Sequence, residues 1–439
     1  MLPISVDMIS QSTRFLIGKL ERANYQAYVV GGAVRDIFLK RPVTDWDLAT
    51  SASISTLQNI FRDTSHFTPG HGTISVVMDG HAYEITTFRD NAKTLASDLS
   101  KRDLTINAMA LDPSTGEIFD PHNGRGDLQS RVLRAVESPE DRFREDPLRL
   151  LRTVRLGGQL GFKIHQKTKE AISTLAHLLS TVTQERIRDE LIKILLVKKP
   201  SRALNSLATL GLLKVFLPEL LEGRLKRQNH YHRYTILKHI FLTVDNVEPT
   251  PLLRVTALFH DIAKPRIRFK EGGIWRFHAH EKASAVLAEE IMKRLKFSNR
   301  MIQEVTHLIK NHIIGYKPQW SDAAVRRLIK RVGVDLMADF LTFRKADILA
   351  HGKESGGVGL LAELEERIQT QLAYSQPIHV SDLAIDGNTV MKVTGLSPGP
   401  AVGKILSQLN SIILENPQWN QKEKLLEILE DQKPHWNER

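Results

Sequence analysis

Apolar positions along the chain change period once, near residue 138, and that change predicts two kinds of architecture. Before it the apolar runs are short. Residues 25–39 (YQAYVVGGAVRDIFL) read as a strand broken by Gly31-Gly32 and followed by a helix, and residues 82–89 (AYEITTFR) as a strand of period two. Met8, Phe15, Leu16 and Leu20 space out one amphipathic helix ahead of them. From residue 138 the period becomes 3.6, with successive helices predicted over 138–156, 168–180, 185–196 and 202–216. The tail, 383–420, reads as helix, turn, helix, and backbone N–H groups at 397–403 could meet phosphate there. Breaks rich in Pro and Gly fall at Pro218, at Pro249-Thr250-Pro251, over 270–273, at Gly356-Gly357 and at Pro377. The expected fold class is α+β: a small α/β head followed by an essentially all-helical remainder. The expected domains are 1–137, 138–218, 219–375 and 376–439.

A chain of 439 residues exceeds one ordinary core, so several domains are expected. Lys and Arg number 61 against 50 Asp and Glu, a net charge of +11 that favours a polyanionic partner such as nucleic acid. With no cysteine, disulfides, thiolate metal sites and a cysteine nucleophile are excluded, and any metal must use His, Asp or Glu. The N-terminus lacks a continuous apolar stretch and a small-residue cleavage site, and no run of about 18 apolar residues occurs. A cytoplasmic protein without membrane contact is expected.

Gly31-Gly32 lets the backbone turn tightly against a ligand, while the helix N-terminus that follows, with Arg35, offers donors to a triphosphate. Asp45-Trp46-Asp47 then puts two carboxylates on one side of an extended segment. Such oxygens suit Mg²⁺, and a two-metal site could activate a terminal 3′-hydroxyl and neutralise a triphosphate during in-line transfer. Glu84 is a candidate third acid.

VVGGAVRD with TDWDLAT, KRDLTINAMA at 101–110 and REDPLRLLRTVRL at 144–156 resemble, in order and spacing, the signature motifs of class II tRNA nucleotidyltransferases and bacterial poly(A) polymerases. The resemblance runs from about residue 27 to the C-terminus. It implies a polymerase-beta-like nucleotidyltransferase head, then neck, body and tail, with tRNA as acceptor and two Mg²⁺ held by the catalytic pair Asp45 and Asp47. It also implies nucleotide contacts from Gly31, Gly32, Arg35, Arg102, Asp103, Glu145, Asp146 and Arg149, with Arg152 and Arg155 facing phosphate. Lys101-Arg102-Asp103-Leu104 stands where the family has Arg-Arg-Asp-Phe, so Arg102 and Asp103 are carried over and Lys101 is not.

Glu145-Asp146-Pro147-Leu148-Arg149 is expected to open a helix with Asp146 and Arg149 on one face. A carboxylate that accepts and a guanidinium that donates complement cytosine's pairing edge, and adenine offers a similar amino group beside a ring acceptor. In the family this element is the amino-acid template for the base. Only DNAKTLASDLS lies between Arg89 and Lys101, shorter than the flexible loop of full CCA-adding members and similar to the CC-adding subgroup. The expectation is therefore cytidine addition from CTP, with full CCA addition, A addition (ATP) and poly(A) synthesis as alternatives.

Farther on, His239, the doublet His260-Asp261, His280 and Asp347 follow in an order that resembles an HD domain. The resemblance implies a divalent, perhaps transition-metal, centre at His239, His260, Asp261 and Asp347, with His280 as an added candidate and His307 and His312 as further ones. It makes a metal-dependent phosphohydrolase acting on RNA ends or nucleotides the reading from another class, with an inactive RNA-binding scaffold as a third.

Overall fold

The structure is a computed structural model, and it describes residues 8–70, 72–89, 94–229, 232–352, 357–373 and 379–431. The chain divides into two compact units, 1–218 and 219–439. The break expected at Pro377, the limit at 375/376 and part of the short 90–100 segment lie outside the described residues, as does Gly356.

In the first unit seven strands form one sheet in the order β3-β4-β5-β2-β1-β6-β7. They are β1 (Ala27–Val30), β2 (Asp47–Thr50), β3 (His66–Gly70), β4 (Thr73–Met78), β5 (His81–Thr87), β6 (Ala110–Leu111) and β7 (Ile118–Phe119). All neighbours are antiparallel except β2 and β5, whose parallel register sets Asp47 level with Glu84. Gly31 takes φ +72° between β1 and the helix Gly32–Phe38, the turn that a two-glycine sequence permits. The N-terminal helix is Gln11–Arg22, capped by Ser10, and it buries Leu16, Ile17 and Leu20. Met8 precedes that helix and Phe15 is exposed, so the buried stripe is narrower than the apolar spacing suggested.

The predicted helix over 138–156 is two helices, Pro139–Glu145 and Leu148–Leu160. Pro147 has no N–H to continue the first, and its neighbour Asp146 takes extended angles (φ −146°, ψ 98°), as residues before proline do. Glu145 therefore closes one helix and Asp146 caps the next. Leu156, with Leu160, Phe162 and Ile164 beside it, packs into the same core as Val29, Leu48 and Ile85 of the sheet. The helix carrying the base-selecting element is thus fixed to the sheet carrying the carboxylates.

The second unit is helical apart from one short hairpin, Phe269–Glu271 with Ile274–Arg276, at the break expected over 270–273. Two apolar clusters hold it: one around Leu308, Phe340 and Leu364, the other around Val390, Leu409 and Leu425. The tail forms the predicted helices Gly387–Thr394 and Pro400–Glu415. Among the described residues no helix is long and apolar enough to cross a membrane.

The helix Gly124–Ser130 lies hard against the turn Thr105–Asn107 that follows Asp103. A Cβ on Gly124 would sit 2.3 Å from the Thr105 carbonyl oxygen. Backbone must then move. Gly124→Ala is expected to lower stability to urea by about 1–3 kcal/mol, the usual cost of overpacking, whereas Gly157→Ala, with no neighbour nearer than 3.6 Å, should fall well short of that.

Candidate active site and candidate metal centre

A cleft of 760 Å³ opens in the first unit and gathers residues from five stretches of sequence. Asp45, Asp47 and Glu84 stand at one wall. Asp47 begins β2 and Asp45 lies two residues before it, which delivers the same-side placement expected of the pair. Burial, reinforced by the charge of Glu84 across the parallel strands, pushes Asp47 up to about 6. Two carboxylates so forced together fit a divalent cation, which relieves the repulsion.

Gly31 makes this crowding possible. A Cβ there would lie 3.2 Å from Arg102 Nη1 and 3.4 Å from Asp47 Oδ2. Arg102 is buried and held by Asp98, whose Oδ2 accepts from Nε at 3.1 Å and Nη2 at 3.0 Å. Asp98 Oδ1 also accepts the backbone N–H of Arg89 at 2.9 Å. Arg35 lines the cleft beside Gly32, but its guanidinium is shared between Asp36 and the Asn107 side-chain oxygen. Asp103 accepts from Leu104 N–H, Asn107 and Arg152. Burial opposes its charge, yet Arg152 and these donors hold it far below the usual carboxylate range.

The base-selecting candidates face the same cleft. Asp146 accepts from Leu148 N–H at 3.2 Å and from Arg186 at 3.0 and 3.1 Å. Arg149 donates to Glu145 Oε2 at 3.1 Å and to the carbonyls of Arg142 and Lys101. Glu145 thus acts by orienting Arg149. Arg155 donates to the buried Glu190 at 2.5 Å. Eight cationic side chains line the cleft against six acidic ones, an excess that suits a triphosphate.

Arg89, Asp98, Asn107, Arg186 and Lys193 also belong to this site and were not singled out from the sequence. Asn107 was findable, four residues after Asp103 within a motif already noted. Arg186 and Lys193, seven apart, share a face of the helix Gln184–Leu195. Asp98 carried no signal until the fold set it under Arg102.

In the second unit four helices bring His239, His260, Asp261 and Asp347 together, all buried. His239 Nε2 lies 3.0 Å from Asp347 Oδ1 and 3.3 Å from Asp261 Oδ2, and His260 Nε2 3.4 and 3.2 Å from the same atoms. Burial alone would push His260 down, but the charges of Asp261 and Asp347 outweigh it and hold it up to about 9. His280 and His312 also approach Asp261. His307 does not join them, because its Nε2 pairs with the Val332 carbonyl. His232 and His351 flank His239, and burial pushes them down to about 2 and about 4, leaving neutral rings.

Residues 27–134 match the family described as "Poly A polymerase head domain" and 161–223 that described as "Probable RNA and SrmB- binding site of polymerase A". Residues 273–429 match tRNA nucleotidyltransferase domain 2. A CCA-adding enzyme of Geobacillus sp. (strain WCH70) is 31% identical over 429 residues, covering 94% of this chain and 95% of that protein. The chain belongs to the class II tRNA nucleotidyltransferase and poly(A) polymerase family. Another CCA-adding enzyme, of Lactiplantibacillus plantarum, is 29% identical over 97% of this chain and 98% of its own length. Among solved structures, the Bacillus stearothermophilus CCA-adding enzyme in complex with CTP superposes with TM-score 0.73 at 27% identity, over 97% of this chain and 98% of that one. The expected polymerase-beta-like head and helical remainder are thereby shown for this tRNA nucleotidyltransferase.

Because the folded state raises Asp47 from 3.8 to about 6, it binds more protons than the unfolded chain between those values. Stability of the metal-free protein should therefore fall as pH rises through that window, and the cost is fully present above it. Asp47→Asn is expected to raise the melting temperature of chelator-treated protein at pH 7.5 and to lose that gain near pH 4. Added Mg²⁺ should stabilise the parent and not the variant.

Proposed function

We propose that this nucleotidyltransferase builds the complete CCA end of tRNA, adding two cytidines from CTP and then adenosine from ATP. One observation carries the reading: the acidic trio and the Asp146 and Arg149 pair line a single cleft with an excess of cationic groups. Relatives named as CCA-adding enzymes and aligned along 94–97% of the chain support it.

In the reaction the terminal 3′-oxygen bonds to the α-phosphorus, the bond from that phosphorus to the bridging oxygen breaks, and pyrophosphate leaves. Two Mg²⁺ on Asp45 and Asp47, with Glu84 beside them, would lower the hydroxyl's pKa and neutralise the leaving group. Arg102, set by Asp98, grips phosphate, and Arg152, pinned by Asp103, lies over the sugar and phosphates. Asp146 accepts the amino hydrogen of cytosine or adenine while Arg149 donates to the adjacent ring nitrogen. Both must exchange partners to do so. Asp146 gives up Arg186, half exposed and cheaply released, and Arg149 gives up carbonyls within reach. Such an exchange can serve a pyrimidine and a purine in turn.

The short stretch between Arg89 and Lys101 favours CC addition alone, and the two readings part in one assay. A tRNA transcript ending before its CCA, with both nucleotides and Mg²⁺, should gain three residues. Growth that stops at two whether or not ATP is present would establish the CC-adding enzyme instead. Asp45→Ala and Asp47→Ala should each lower extension by at least about a hundredfold, the scale of losing a group that stabilises transition-state charge. Arg149→Ala should cut the preference for CTP over UTP by about ten- to a hundredfold, matching roughly 1–3 kcal/mol for an unpaired polar group.

The convergence of His239, His260, Asp261 and Asp347 favours a second activity, metal-dependent hydrolysis of a phosphate ester. Its donor set of imidazole and carboxylate suits a divalent transition metal. With p-nitrophenyl phosphate and Mn²⁺, His260→Ala should abolish phosphate release while sparing tRNA extension, and Asp45→Ala should do the reverse. Phosphate release that survives His260→Ala would remove this reading.

A further inference from the structure

Asp261 faces two sets of histidines, one on each carboxylate oxygen. His239 and His260 lie on the Oδ2 side, where Lys264 Nζ also sits 2.6 Å away. On the Oδ1 side lie His280 Nε2 at 3.4 Å and His312 Nε2 at 3.9 Å. The same rule orients all four rings. Each presents Nδ1 to a backbone carbonyl: His239 to Ala350, His260 to Ala257, His280 to Phe277 and His312 to Ile309. A carbonyl can only accept, so each Nδ1 carries the hydrogen and each Nε2 turns a bare lone pair inward. Metal-bound histidines are held in the same way.

The result is a set of acceptors facing acceptors. His239 Nε2 and His260 Nε2 stand 3.1 Å apart. Both oxygens of Asp261 and Nε2 of His280 are buried without a hydrogen bond, Lys264 approaching Oδ2 outside bonding geometry. Ligand atoms of Asp261, His280 and His312 lie within 4.8 Å of one another, close to twice a metal–ligand bond of about 2.1 Å. No cationic side chain is paired with Oδ1 among the described residues.

We propose that Asp261 bridges two divalent cations, the first with His239, His260 and Asp347 and the second with His280 and His312. The first position rests on the metal reading given under the proposed function, and the second is new. A bridging carboxylate between two cations would seat a water or a phosphate oxygen between them, the arrangement used to cleave phosphate esters.

The test uses full-length protein carrying Asp45→Ala and Asp47→Ala, so that the head carboxylates hold no ion, stripped with chelator and reloaded with Mn²⁺. Metal analysis should find two Mn²⁺ per chain, and electron paramagnetic resonance should show exchange coupling between them. His280→Ala and His312→Ala together should leave one uncoupled ion, with circular dichroism checking that the helices persist. One ion per chain in the parent, or two without coupling, would overturn the bridged pair and leave the first position standing. Absence of bound Mn²⁺ would remove both. Should the double variant fail to fold, the stoichiometry and coupling of the parent still decide the matter.

Discussion

The parallel pairing of β2 with β5 forces Asp47 and Glu84 side by side at the rim of one sheet, and much of the first unit answers that repulsion. Like charges on neighbouring strands cost energy unless something positive stands between them. Arg102 is brought to the spot by Gly31, whose missing side chain leaves room for both groups. Arg102 in turn needs a counter-charge behind it, which the buried Asp98 supplies. The cleft is therefore a layered arrangement of charge, acid facing solvent, base beneath it, and acid again in the core.

Much of this was legible from residue order. The two glycines, the aspartate pair and the acidic strand residue fell where expected because turn geometry and period-two alternation are local rules. What escaped was charge pairing across long separations. Nothing near Asp98 marks it as the partner of Arg102 rather than one more helix-surface acid, and Arg186 meets Asp146 from forty residues away. The break between Glu145 and Leu148 could have been read from Pro147, which restricts the residue before it, but the apolar period runs across the break and hides it.

The second unit teaches the complementary lesson. His239, His260, Asp261, His280 and Asp347 could be listed in order, while their grouping depends on which helices cross. His307 and His312 share a helix and look equivalent in sequence, yet a turn and a half of rotation sends one to the Val332 carbonyl and the other to the cluster. Helix phase separates them.

Asp98 has one further consequence. It ties Arg89 at the start of the short segment to Arg102 just beyond its end, so the phosphate grip is closed on itself whatever length of chain runs between Arg89 and Thr94. Insertions or deletions there would leave that grip intact. Nucleotide preference and catalytic power can then drift independently over evolutionary time, each adjustable without dismantling the other.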